Sequence, residues 1–469
     1  MHQIKFGTDG WRAVIAREFT VHNVARVAIA SARWLTKKYK NPSMVIGYDC
    51  RFGGSMFTEV VAKCFAHQGV KVYYSPKFVP TPAVSLAVTS LEANMGVVIT
   101  ASHNPPEYNG YKLKGAHGGP LMEEHTREIE ALIPEEPEIL IDSIRWDDMV
   151  KKELIVETDI EQIYQEHLKK HFNLKLLKKK GFRFGFDAMY GAGQDVMQNI
   201  LPGMQLFRCT YNPSFLGIPP EPLEKNLKET QALLRSSGNV DCTLVVDGDA
   251  DRIALLDKDG NYIDSHNIIL LLIYYLAGHK KMKGKIVTGF SSTSKVEKLA
   301  ARYHLPVTRV RIGFKDICRI MLSEDVLVGG EESGGIAIKG HIPERDGMWM
   351  GLTLWTFMQE TGKSIHELIE EVYKYTGRFY YSRIDKKVDE NTKKEVLQRL
   401  KNEEIKAFGK FKVSRLETLD GWKFFFNDEE WLMLRASGTE PLLRIYAEAN
   451  SPERLKEILA KGEEFAAGK

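Results

Sequence analysis

Short apolar runs alternate along the chain with stretches whose apolar positions recur at helical spacing, and this predicts α/β units. The alternation repeats three times. One pass runs from a strand at Met44–Asp49 through a helix around Glu59 to His67 and a strand at Val70–Tyr74 to Met95–Thr100. A second runs from Phe182–Asp187 through Gln205–Cys209 to Cys242–Val246, and a third from Lys285–Phe290 through Val307–Arg311 to Val326–Val328. Each pass closes on a polar or Gly-rich loop: Ala101–Pro105, Asp247–Asp251 and Gly330–Gly334. Ligands of α/β sheets gather at the carboxyl ends of strands, so the three loops are expected to face one cleft. From about residue 375 the pattern changes to a Glu/Lys-rich helix, short strands around Phe424 and Trp431, and a helical end after Pro452. The expected units are therefore 1–146, 147–254 and 255–374, each α/β, and a smaller α+β unit, 375–469. Linkers are expected near Asp142–Asp148 and Tyr375–Phe379.

Composition narrows the class. The 469 residues suffice for several domains, and 43% apolar with 27% charged is ordinary for a globular chain. Lys plus Arg number 65 against 62 Asp plus Glu, a net of +3, which argues against a dedicated nucleic-acid binder. Lys169–Lys180 reads as a solvated helix end, because few aromatic residues interleave to stack bases. The longest apolar run, Ile268–Ala277, is about half of what a membrane span needs. The N-terminus lacks the apolar core of a signal peptide. Five scattered cysteines without a Cys-x-x-Cys pair suggest neither a disulfide framework nor a zinc site, and a cytoplasmic setting is expected.

Candidate chemistry sits in the loops. Asp247-Gly-Asp249-Ala-Asp251-Arg252 follows an apolar run, and in extended backbone its three carboxylates would share a side. Crowded carboxylates call for a hard cation, while the EF-hand reading fails because Arg252 and Lys258 stand where Gly and Glu belong. Thr100-Ala-Ser102-His103-Asn104-Pro-Pro holds a serine on a loop expected to be exposed, and the G-x-S-x-G elbow of a hydrolase is absent. Arg435-Ala-Ser437-Gly438-Thr439-Glu-Pro, with Arg444 following, offers a guanidinium fork, two hydroxyls and a flexible backbone to a phosphate. Gly330-Glu331-Glu332-Ser333-Gly-Gly335 suits sugar hydroxyls, and Gly7-Thr-Asp-Gly-Trp-Arg12 could bring an Arg to a phosphate.

Taken together and in order, these five segments resemble the α-D-phosphohexomutase superfamily, the phosphoglucomutase and phosphomannomutase enzymes, over essentially the whole chain. The resemblance implies four domains around a central cleft. It also implies an isomerase moving phosphate between O1 and O6 of a hexose through a phosphoserine and a bisphosphorylated sugar. Ser102 would be that phosphoserine, with Mg2+ on Asp247, Asp249, Asp251 and a phosphoserine oxygen. Lys112, Arg12 and His103 would serve near the transferring group. Arg252 would contact phosphate, Glu331 and Ser333 the sugar, Lys315 the substrate, and Arg435, Ser437, Gly438 and Thr439 the phosphate that does not react. A hexose phosphate is the expected partner and a sugar 1,6-bisphosphate the expected activator, with no nucleic acid and no membrane; monomer or homodimer is left open.

One position departs from part of the family. Mannose- and glucosamine-type members usually read GExSGH, and here Gly335 holds the histidine position. This favours glucose phosphates, then mannose or dual use, then glucosamine. A serine hydrolase and a non-catalytic sugar-phosphate-binding protein are the readings from other classes.

Overall fold

The computed structural model describes residues 3–179, 181–402, 404–436 and 442–468. The three repeats form three sheets of one plan, each with a central strand flanked by two parallel ones. In the first sheet Ser43–Tyr48 lies between Lys71–Tyr74 and Met95–Ile99. Phe184–Asp187 between Gln205–Phe207 and Cys242–Val246, and Lys285–Gly289 between Val307–Val310 and Val326–Gly330, repeat it.

A feature the periodicity did not reveal follows each closing loop. The chain turns straight back as an antiparallel strand: Tyr108–Gly115, Ile253–Asp257 and Ile336–Ile338. The three chemistry-bearing loops are thus hairpin tips. The first sheet also takes an edge strand, Ile155–Glu157, against Lys71–Tyr74, and the second extends to Tyr262–Ile263. Two sheets therefore run past the boundaries expected at 146 and 254. Both extra pieces are held by pairing with distant residues, which local pattern does not encode.

The core of the three α/β units is continuous, running from Val45, Ala83 and Val88 through Tyr164, Leu244 and Ile253 to Leu270 and Trp355. The helix Thr81–Ser90 explains how. Its residues Thr81 to Val88 are buried on every side, because one flank lies on the first sheet and the other on the helix Ile160–His171 of the next unit. The apolar run Ile268–Ala277 is likewise a buried core helix, Ser265–Ile273, continued by a wider turn at Tyr274–His279. Among the described residues no helix is long and apolar enough to cross a membrane.

The C-terminal unit is an antiparallel sheet ordered Tyr380–Lys387, Leu442–Ala449, Trp431–Ala436, Trp422–Phe425, Arg415–Glu417. It has a core of its own and meets the third unit through a small cluster of Phe290, Phe425, Trp431, Met433 and Tyr446. Lys423 is buried in that contact, donating to the carbonyls of Phe290 (3.1 Å) and Ser292 (3.4 Å) with its ammonium 3.8 Å from the Trp431 ring. Burial, reinforced by Arg309, pushes its pKa down to about 7. An unfolded lysine keeps its proton to about pH 10.4. Between these values the unfolded state binds more protons, so Lys423 makes stability rise with pH. Lys423→Met should flatten the rise of the melting temperature between about pH 7 and 10, relative to wild type.

Candidate active site

The serine loop is shaped by an arginine that periodicity cannot single out. Arg51, 1% exposed, donates to the carbonyls of Ser102 (2.6 Å), Asn104 (2.6 Å), Pro105 (2.7 Å) and Tyr108 (2.9 Å). Asp49 accepts from its Nε (3.2 Å) and from the Thr100 hydroxyl (2.5 Å). Burial pushes the Asp49 carboxyl up to about 6, with Arg51 pulling the other way. Ser102 itself has φ 55°, a left-handed backbone that costs a non-glycine residue about 1–3 kcal/mol, and the Thr100 hydroxyl accepts its N–H (2.8 Å). The expected exposure of Ser102 is not found: it is 1% exposed. The acidic loop closes over it, and Gly248 makes this possible, since a Cβ there would stand 2.5 Å from the Ser102 carbonyl oxygen.

Asp247, Asp249 and Asp251 are fully buried at the end of Cys242–Val246, with ligand oxygens within 4.8 Å of one another. Their convergence comes from a turn rather than extended backbone: Ala250 donates to the Asp247 carbonyl (3.0 Å) and has φ 60°. Ser102 Oγ donates to Asp247 Oδ2 (2.6 Å). Asp249 Oδ2 accepts from Lys112 (2.7 Å) and Thr81 (2.5 Å), while Asp251 Oδ2 accepts from Lys112 (2.8 Å) and lies 2.7 Å from Arg345. The other oxygens of Asp249 and Asp251 are buried without a partner. Burial and the neighbouring Asp249 and Asp251 hold the Asp247 carboxyl well above its ordinary range, while Asp249, despite burial, is held low by Lys112. Two bare, buried hard oxygens beside a third carboxylate fit a divalent cation such as Mg2+.

Register places the cations around this triad. Tyr108–Gly115 pairs Lys112 with Val98 and Gly110 with Arg12, bringing both beside the serine loop. Lys112, 1% exposed, spreads its ammonium over Asp249, Asp251 and Asp9 (2.9 Å). Burial alone would lower its pKa, but Asp249, Asp251 and Asp9 raise it. Arg12 donates to Asn104 (2.7 Å), and the Arg252 backbone N–H donates to Asp247 (3.0 Å). His103 Nδ1 lies 3.3 Å from Ser102 Oγ, and burial together with Arg252, Arg12 and Lys112 holds its pKa well below the usual value.

Arg345 and Asp9 escaped the sequence reading as functional candidates. Arg345 bonds Asp9 (2.5 Å) and Asp251 (2.7 Å). It sits in a run of three charges, Glu344-Arg345-Asp346, ahead of the apolar helix Gly347–Thr361, and that run was the available signal. Glu344 accepts from Lys114 (2.5 Å) and Ser85 (3.0 Å) of the first unit, and Asp346 from Tyr164 (2.7 and 2.8 Å) of the second. Gly335 leaves room for Arg345: a Cβ there would stand 2.4 Å from its Cδ.

Glu331 is 4% exposed and accepts the Gly313 N–H (2.7 Å); burial and Glu332 push its carboxyl up to about 7. Glu332 turns instead to Ser291 (2.7 Å), and Ser333 is half-buried beside them. Lys315 and Arg435 line a separate cavity of about 460 Å3, with Gly7, Thr8, Gly313 and Asp420. Ser102 and the acidic triad are not among its lining residues. Arg435 Nε donates to Asp420 (3.0 Å). Ser437, Gly438 and Thr439 lie outside the described residues.

Known proteins agree with this architecture along the whole chain. Descriptions of the phosphoglucomutase/phosphomannomutase alpha/beta/alpha domains I, II and III match residues 3–139, 162–260 and 264–375, and that of the C-terminal domain matches 385–464. A phosphoglucomutase/phosphomannomutase of Thermococcus kodakarensis is 30% identical over 97% of both chains. A phosphoglucosamine/phosphogalactosamine mutase of Sulfurisphaera tokodaii is 30% identical over 99% of both. The crystal structure of a putative phosphomannomutase from Thermus thermophilus superposes with a TM-score of 0.85 at 34% identity, covering 99% of each chain. With all four domains matched in order and full-length relatives at this identity, the chain belongs to the phosphoglucomutase/phosphomannomutase family.

Proposed function

We propose that the protein interconverts α-D-glucose 1-phosphate and glucose 6-phosphate through a phosphorylated Ser102. The observation that carries this reading is the Ser102 hydroxyl, buried and 2.6 Å from Asp247 in a triad with two bare carboxylate oxygens. Asp247, Asp249 and Asp251 would hold Mg2+, which when bound polarises the phosphoryl oxygens. The phosphoryl group leaves Ser102 Oγ for the free O6 of the 1-phosphate, whose hydroxyl proton must be taken up. Ser102 Oγ takes up a proton as it leaves; the bisphosphate turns round, Oγ gives that proton up as it accepts the O1 phosphoryl group, and O1 is protonated in turn, so phosphate and protons are conserved. Of the three candidates for the proton, Lys112 is committed to three carboxylates and Arg12 can only donate. His103, with Nδ1 3.3 Å from Ser102 Oγ and its pKa held well below the usual value, is the one of the three able to accept a proton. Burial of Ser102 keeps water from its phosphoryl group.

Arg252 and Lys315 are assigned to phosphate, Glu331 and Ser333 to sugar hydroxyls, and Arg435 with Ser437, Gly438 and Thr439 to the phosphate that does not react. The glucose assignment is supported by Gly335, which stands where mannose- and glucosamine-type members usually carry histidine. Mannose phosphates are the second reading, since relatives carry both names. Phosphorus NMR on α-glucose, α-mannose and α-glucosamine 1-phosphates, each with Mg2+ and its matching bisphosphate, decides among them. Rapid formation of glucose 6-phosphate, lost on adding excess chelator, is expected. Conversion of glucosamine 1-phosphate alone would overturn the sugar assignment, and no conversion of any would overturn the mutase.

A further inference from the structure

The phosphate-side arginine and the sugar-side glutamate belong to different units, yet a hydrogen-bonded path joins them. Arg435 Nε donates to one oxygen of Asp420 (3.0 Å), and the other accepts the backbone N–H of Ile312 (2.9 Å). The next N–H along the chain, that of Gly313, donates to Glu331 Oε1 (2.7 Å). Two consecutive amides are thus spent on two carboxylates, one in the C-terminal unit and one in the third. Glycine geometry shapes both ends. Gly313 has φ 135°, open to glycine and strained for other residues. Gly421, at φ 107°, lets the Asp420 turn close on its neighbour strand, where a Cβ would stand 2.7 Å from the Leu434 carbonyl oxygen and 3.1 Å from Arg435 Cβ. Asp420, Gly313 and Arg435 all line the same cavity of about 460 Å3.

We infer that Asp420 is a positioning residue, tying the arginine that holds the unreacting phosphate to the glutamate that faces the sugar, so that both ends of the hexose phosphate are seated together. The inference rests on the mutase reading for the roles of Arg435 and Glu331. Asp420 has one oxygen for each side, and the two amides that bind the two carboxylates are joined through a single Cα, that of Ile312. A residue serving only the phosphate would act independently of Glu331.

The test is a double-mutant cycle on the full-length enzyme with α-glucose 1-phosphate, comparing Asp420→Asn, Glu331→Gln and the pair. Asp420→Asn alone should lower kcat/KM about 30-fold, because one charge-assisted bond is replaced by a clash of donors. Where Gln already replaces Glu331, the same change should cost less than about 3-fold. Equal losses in both backgrounds would overturn the inference while leaving the mutase intact. A wild-type enzyme inactive on every hexose 1-phosphate would remove the mutase reading, and the inference with it. Asp420→Ser, which shortens the acceptor without adding an amide donor, should show the same dependence on Glu331. It supplies the cycle should Asp420→Asn fail to fold.

Discussion

Ser102→Ala is expected to lower hexose phosphate turnover by at least about 10^4-fold, because it removes the hydroxyl held against Asp247. The fold should survive. Asp247 loses one donor but keeps the Arg252 N–H (3.0 Å), so the stability change should be about 1–2 kcal/mol. Phosphorus NMR reads the turnover, and intact mass reads the chemistry: wild type charged with glucose 1,6-bisphosphate should gain one phosphoryl group, and the variant none. A variant that gains the same mass would place the phosphoryl group elsewhere, and Thr81, whose hydroxyl donates to Asp249, would be the next residue to test.

Arg51→Ala should hurt both folding and turnover. Its guanidinium is buried with Asp49 and holds four carbonyls of the serine loop. Removing one partner of a buried pair costs about 3–5 kcal/mol, and the freed loop loses the support of its left-handed serine. A displacement of about 1 Å at the reacting oxygen is enough for about a 100-fold loss in kcat. Chemical denaturation and steady-state rates check the two effects separately. Arg51→Lys keeps the charge but not the fork, and should fall between. Full activity in a destabilised Arg51→Ala would mean that the loop holds its shape unaided.

Where the chemistry is local, the sequence exposed it. The three strand–helix–strand passes, their closing loops and the carboxylate triad all stand in short windows, because strand and helix periodicity and like-charge crowding are properties of neighbours. What it hid depends on distance along the chain. Arg51 acts on residues more than fifty positions away, and Arg345 reaches Asp9 across 336 positions. Nothing adjacent to either arginine shows that it is buried. Burial of Ser102 was missed for the same reason, since the covering glycine lies in another repeat. The return strands after the acidic loop and the edge strand Ile155–Glu157 were missed because each takes its identity from the strand it pairs with.

The helix Thr81–Ser90 carries a consequence for how the chain is made. Its outer flank is covered by Ile160–His171, which belongs to the following unit. While the ribosome is still delivering that segment, the part of the first sheet built from strands up to Tyr108–Gly115 presents an apolar helix face to solvent. Synthesis at about 5–20 residues per second leaves it bare for several seconds. The newborn chain is therefore most prone to aggregate between the strand Tyr108–Gly115 and the helix Ile160–His171, and a chaperone that binds apolar helices would act in that interval.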